Sequence, residues 1–135
     1  MELGKYSPDI YQVDHMWPKD LLLTKRGVRS KYPAATPDEI AAFKENCKRL
    51  SNLQLLKPLV NQQKSNMTYD AWLAQTGQPP QYYTVNSVPT GIPYTFNNFL
   101  EFVDEREKLL KKAIVMAFPS DFAEIVSHFG LADKI

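Results

Sequence analysis

At 135 residues the chain is bounded to one domain, or one domain with an appendage. With 44% hydrophobic and 12% aromatic residues and charges that cancel to +1, it is neither a disordered polar chain nor a polybasic tail. The longest apolar run, Ala113 to Phe118, is far short of the roughly 18 residues of a membrane span, no signal-peptide pattern opens the sequence, and one cysteine, Cys47, excludes an internal disulfide or a cysteine-rich zinc site.

A soluble, cytoplasmic protein with no membrane association is therefore expected. His15 and His128 are its only imidazoles. Residues 1–66 hold eleven Lys/Arg against seven Asp/Glu, and residues 67–135 five against eight, so a polyanion would meet the N-terminal half.

In chain order, Ile10 to His15 predicts a short strand, with β-favouring Ile10, Tyr11 and Val13 and a stop at Pro18. A polar, basic connection follows, from Lys19 to Pro33. Thr36-Pro37-Asp38-Glu39 is a capping box that starts a helix over residues 37–50, with Ile40, Phe43, Cys47 and Leu50 on one apolar stripe. Ser51 to Leu56 predicts a second strand, able to pair antiparallel with the first. From about Leu59 to Ala74 the composition is helical, with room for a break in the middle. Residues 77–95 hold two Gly and four Pro, which predicts an irregular excursion with one strand near Tyr82 to Val85. Thr95 caps a long helix from Phe96 to Phe118, with Phe99, Val103, Arg106/Glu107, Leu110 and Ile114 facing the core. Pro119 ends that helix, Ser120 caps a last one of about ten residues, and Gly130 closes it.

The chemistry concentrates in two stretches. Val13-Asp14-His15 sets a carboxylate beside an imidazole at a strand end, where neighbouring side chains leave on opposite faces and so serve different partners. One arrangement that uses this puts a metal ion on the carboxylate and a water on the imidazole, beside a scissile phosphate. A satisfied structural histidine next to a turn-forming aspartate gives the same dipeptide. In the second stretch Asn61 offers a hard amide oxygen suited to Mg²⁺. Asn52 also reads as a backbone-bonding strand-start residue, and Lys64 as a solvated lysine.

In this order, DHMWPKDLL, SNLQLL and NQQKSN resemble the three motifs of the HNH (ββα-metal) nucleases. The set is most similar to the C-terminal nuclease segment of GmrSD-type modification-dependent restriction enzymes. FLEFVDEREKLLKKAIVMAF resembles the closing helix of that group, so the resemblance covers residues 10 to about 118. It implies an α+β fold in which a small ββα-metal motif, about residues 10–74, is embedded in a mainly helical nuclease domain, 1–118. A supporting loop and long helix span 77–118, and a helical appendage spans 119–135.

The resemblance also implies roles. His15 is the general base, Asp14 and Asn61 hold one Mg²⁺ or Mn²⁺ ion, Asn52 braces the loop between the strands and orients His15, and Lys64 approaches a phosphate. The activity implied is phosphodiester hydrolysis in DNA, as the cutting module of a restriction or phage-defence system. Two departures stand out. Asparagine occupies a position often held by histidine, which favours a hard cation over zinc, and the zinc-binding cysteine pairs of many HNH proteins are absent. Only thirteen residues precede Asp14, with nothing like the nucleotide-using domain of the restriction relatives, so a longer parent protein or a separate sensor or NTP-using partner is expected. Two alternatives stay open, a non-catalytic nucleic-acid-binding or assembly module and a nuclease toxin.

Of the other residues, Arg26, Arg29 and Lys31 are candidate contacts to backbone phosphates, or a solvated basic loop. Trp17 and Trp72 read as core or interface anchors. Tyr82, Tyr83 and Tyr94 read as packing under the irregular excursion, with base stacking the sharper alternative. His128 reads as a structural residue near a helix C-terminus.

Overall fold

Strand β1 (Gln12–His15) and strand β2 (Leu53–Leu56) pair antiparallel, with Gln12 opposite Leu56, Val13 opposite Leu55, Asp14 opposite Gln54 and His15 opposite Leu53. This is seen in a computed structural model that describes residues 10–117. The fold is mixed α+β and mostly helical, with this small sheet as its β component. Between the strands lie α1 (Lys19–Leu22), α2 (Lys25–Lys31) and α3 (Pro37–Asn46). After β2 come α4 (Pro58–Lys64), α5 (Tyr69–Thr76), α6 (Pro80–Val85) and α7 (Phe99–Ala117).

The Lys19–Pro33 connection, read from the sequence as a polar, basic loop, contains the two helices α1 and α2. Leu22 and Val28 are buried in the core, and Thr24 caps α2 by accepting a 2.9 Å hydrogen bond from the Gly27 amide. Gly27 allows α2 to approach α1: a Cβ there would lie 2.8 Å from the carbonyl oxygens of Asp20 and Leu21. Exposed charges had masked two short helices whose buried residues are few.

Helix α3 starts on the expected capping box, with Thr36 Oγ1 accepting from Glu39 N and Glu39 Oε1 accepting from Thr36 N. It ends at Asn46, four residues early. Phe43 and Cys47 are buried, but Leu50 is 69% exposed, because a 3-10 turn (Leu50–Asn52) rotates it off the stripe before β2. The expected break in the next helical stretch falls between α4 and α5.

The strand expected near Tyr82 is helix α6 instead, with Pro80 in its first turn, where a missing N–H costs nothing. Helix α7 is preceded by a 3-10 turn (Phe96–Asn98), and Thr95 does not cap it; its hydroxyl donates to Asn98 Oδ1 at 3.4 Å. Phe99, Phe102, Val103 and Arg106 form the buried face of α7, while Leu110 and Ile114 are half-buried. The proposed appendage, with Ser120, His128 and Gly130, lies outside the described residues.

The core is aromatic and centres on Trp17, just beyond β1. Its ring lies 4.4 Å from Phe102, 5.0 Å from Tyr69 and 5.9 Å from Phe99, centroid to centroid, and its indole N–H donates to Phe96 O at 3.2 Å. Trp72 is likewise buried, as expected of a core anchor. A Trp or Phe buried to this degree contributes several kcal/mol, about 3–5 by truncation to alanine, so β1's exit is pinned to α7. Arg106 completes the link. Its guanidinium is buried and donates to Leu53 O at 2.6 Å and to Asn86 O at 3.1 Å, tying α7 to the start of β2 and the end of α6. Among the described residues no helix is long and apolar enough to cross a membrane.

Candidate active site

Strand alternation decides what each residue of β1 faces. Asp14 points inward at 7% exposure, while Val13 and its cross-strand partner Leu55 are each 59% exposed on the opposite face. His15 belongs by alternation to that open face and is half-buried opposite Leu53. The divergence of Asp14 and His15 follows.

Asp14 is held on one oxygen. Its Oδ2 accepts from Gln54 Nε2 at 2.9 Å and lies 3.3 Å from Lys64 Nζ. Among the described residues Ser51 Oγ is the one fully buried side-chain polar atom without a partner. Asp14 Oδ1 takes no hydrogen bond from those residues, in a side chain that is 7% exposed.

Lys64 differs from expectation. It is 0% exposed, so its ammonium cannot project toward a phosphate. It donates instead to His15 O at 2.9 Å and Met16 O at 3.2 Å, with the Trp72 ring 6.0 Å away. All three donors of an ammonium are thus used within the fold, which is how a buried lysine is tolerated. Burial lowers its pKa, and Asp14 opposes that shift.

Asn61 lies one turn before Lys64 on α4, so both meet β1. Its Nδ2 donates to Gln12 Oε1 at 3.0 Å. Gln12 and Asp14 share a strand face two residues apart, so α4 lies along β1 with Asn61 beside Gln12 and Lys64 beside Asp14. The amide oxygen of Asn61 carries no hydrogen bond to the described residues. The Asp14 carboxylate and the Asn61 amide oxygen, on neighbouring elements, are of the hard donor type that Mg²⁺ takes beside waters and phosphate oxygens. Among the described residues no group of three His, Cys, Asp or Glu side chains gathers.

Asn52 braces the loop after β1. Fully buried, it accepts from Trp17 N at 2.8 Å through Oδ1 and donates through Nδ2 to Trp17 O at 3.1 Å and Cys47 O at 3.0 Å; its own carbonyl accepts from Met16 N at 2.7 Å. It touches the backbone beyond His15 and not the imidazole. Any effect on His15 passes through residues 16 and 17.

The His15 imidazole makes no hydrogen bond to the described residues and is half-buried. Its pKa is lowered, chiefly by partial burial; Lys19, Lys64 and Lys48 push it further down, and Asp14 opposes them. A neutral ring with an accessible nitrogen is the form that can take a proton from water. Arg29 is spent, donating from Nε and Nη2 to Ala35 O at 3.3 and 3.1 Å, whereas Arg26 and Lys31 are exposed on α2.

Sequence reasoning missed Gln12, Gln54 and Lys48. Gln12 and Gln54 carried no signal beyond their strand positions. Tyr82, read from the sequence as packing, is buried as such; it donates to Gln54 Oε1 at 2.6 Å and shares a 2.9 Å hydrogen bond with Tyr69, so it belongs to the Asp14 network. Tyr83 and Tyr94 stack on each other at 6.4 Å. Concavities of about 550 and 590 Å³ run along α7, and one of about 420 Å³ is lined by Lys64, Trp72 and Val60.

No family model matches the chain, and no curated protein is significantly similar to it.

Proposed function

We propose that the protein is a metal-dependent endonuclease of HNH (ββα-metal) type that hydrolyses phosphodiester bonds, with DNA as substrate. One observation carries this reading. Three short stretches far apart in sequence meet on two strands and the following helix: Asn61 bonds Gln12, Lys64 bonds Asp14 and His15, and Asn52 bonds Trp17. The resemblance in motif order supplies the roles.

In this reading His15 removes a proton from the attacking water, and its neutral state near pH 7 suits that task. Asp14 Oδ1 and the Asn61 amide oxygen offer a divalent cation its protein donors, with Lys64 and Gln54 fixing the carboxylate through its other oxygen. A bound cation supplies Lewis-acid stabilisation of charge on the phosphoryl and leaving oxygens. Asn52 keeps the backbone after His15 in place. The assignment to a restriction or defence system, with a sensor or NTP-using partner, rests on the resemblance alone.

A second reading, a non-catalytic module that keeps the fold, is favoured by the Asp14–Lys64 ion pair, because a carboxylate already neutralised by lysine binds a cation less strongly. One experiment separates the two. Purified full-length chain is incubated with supercoiled plasmid and Mg²⁺ or Mn²⁺, beside His15→Ala and an EDTA control. Cleavage that needs metal and falls at least about 10²-fold in the variant supports the nuclease. A folded wild-type chain that leaves plasmid intact in both metals removes that reading in favour of the module.

A further inference from the structure

Two exposed lysines lie close in the fold to the backbone that follows His15. Lys19 opens α1 four residues after His15, and Lys48 follows the end of α3; both are exposed. They are far apart in sequence but joined through Asn52, whose Nδ2 donates to both Trp17 O and Cys47 O. Those two carbonyls are therefore separated by no more than two hydrogen-bond lengths, and the chain leaves them toward Lys19 on one side and Lys48 on the other.

Three other cations near the motif are engaged within the fold. Lys64 is buried on Asp14, Arg29 is bound to Ala35 O, and Arg49 is bound to Asp104 at 2.7 Å and Glu107 at 3.0 Å. Neither Lys19 nor Lys48 forms an ion pair among the described residues. We propose that Lys19 and Lys48 form a two-cation seat for a backbone phosphate of duplex DNA beside His15. This rests on the reading of the site as a nuclease and gives it the phosphate contact that Lys64 cannot make. The open face around His15, with exposed Val13 and Leu55, leaves room for a duplex to approach.

The test is fluorescence anisotropy of a labelled DNA duplex with full-length protein in EDTA, over a salt series. Neutralising one phosphate contributes about 0.9 to the slope of log K against log salt. Lys19→Gln and Lys48→Gln should each lower the slope by about 1, the double variant by about 2, and the double arginine variant should keep the wild-type slope. Lys112→Gln on α7 serves as the control and should change nothing. A double glutamine variant with wild-type slope and affinity overturns the seat, as does a wild-type chain that binds no duplex. Cleavage of the same duplex after adding Mg²⁺ is scored separately. Lysine-dependent binding without cleavage keeps the seat and removes the nuclease, while metal-dependent cleavage with an unaltered salt slope does the reverse.

Discussion

The Lys64 ammonium lies 3.3 Å from Asp14 Oδ2, with both side chains withdrawn from solvent and the two carbonyls after β1 completing the ammonium's partners. Removing one member of such a pair strands the other in low dielectric. Lys64→Met should therefore destabilise the fold by about 3–5 kcal/mol, read from urea denaturation. In Asp14→Asn/Lys64→Met the stranded carboxylate is gone, so the double variant should lose less than the sum of the singles. Strict additivity would mean that the two groups are not coupled.

Asn52 serves three backbone groups at once. Asn52→Ala leaves Trp17 N, Trp17 O and Cys47 O without their partner in a region closed to water. The expected loss is about 3 kcal/mol, at roughly 1 kcal/mol or more for each group. Thermal melts in the absence of metal and nucleic acid measure it. A change under about 1 kcal/mol would show that water replaces the amide and that the loop does not depend on it.

Local signals account for what was legible in the sequence. The Thr36–Glu39 capping box, the short strands with proline stops, the break after α4 and the two core tryptophans are each determined within a few residues, and each is present. The errors come from tertiary context. Helices α1, α2 and α6 bury only one residue apiece, so composition dominated by charge, proline and tyrosine hid them. Lys64 was read from its charge, but its environment is set by Asp14 and two carbonyls some fifty positions away in the chain. The Gln54–Tyr82 contact and the approach of the Cys47 carbonyl to the Trp17 carbonyl across Asn52 follow from packing that no local pattern encodes.

Tyr82 is the outer support of Asp14. Its hydroxyl donates to Gln54 Oε1, Gln54 donates to Asp14, and Tyr69 closes the chain behind it. Burial first, among other causes, places both phenols well above the usual tyrosine range, so they stay protonated donors throughout the working pH range. Tyr82→Phe should cost about 1–2 kcal/mol of stability. If the nuclease reading holds, the variant should also need more Mg²⁺ for half-maximal cleavage, because the Asp14 carboxylate is then held by one fixed partner fewer. A metal titration superimposable on wild type would limit Tyr82 to a packing role.

His15 gives the last expectation, with a defined sign. Partial burial lowers its pKa, with Lys19, Lys64 and Lys48 acting in the same direction and Asp14 against them. In metal-free protein the His15 Cε1 proton resonance should therefore titrate with a midpoint below the unperturbed value of about 6.5. Lys48→Gln should raise that midpoint by removing a repulsive charge, and Asp14→Asn should lower it by removing an attractive one. The unfolded chain binds the proton more readily than the folded one. Neutral His15 thus contributes stability that is complete above about pH 6.5 and is lost as pH falls through the folded-state pKa. His15→Ala should flatten that part of the stability profile. A midpoint at or above 6.5 in wild type, unmoved by Lys48→Gln, would show that the imidazole is solvated and out of reach of the neighbouring lysines.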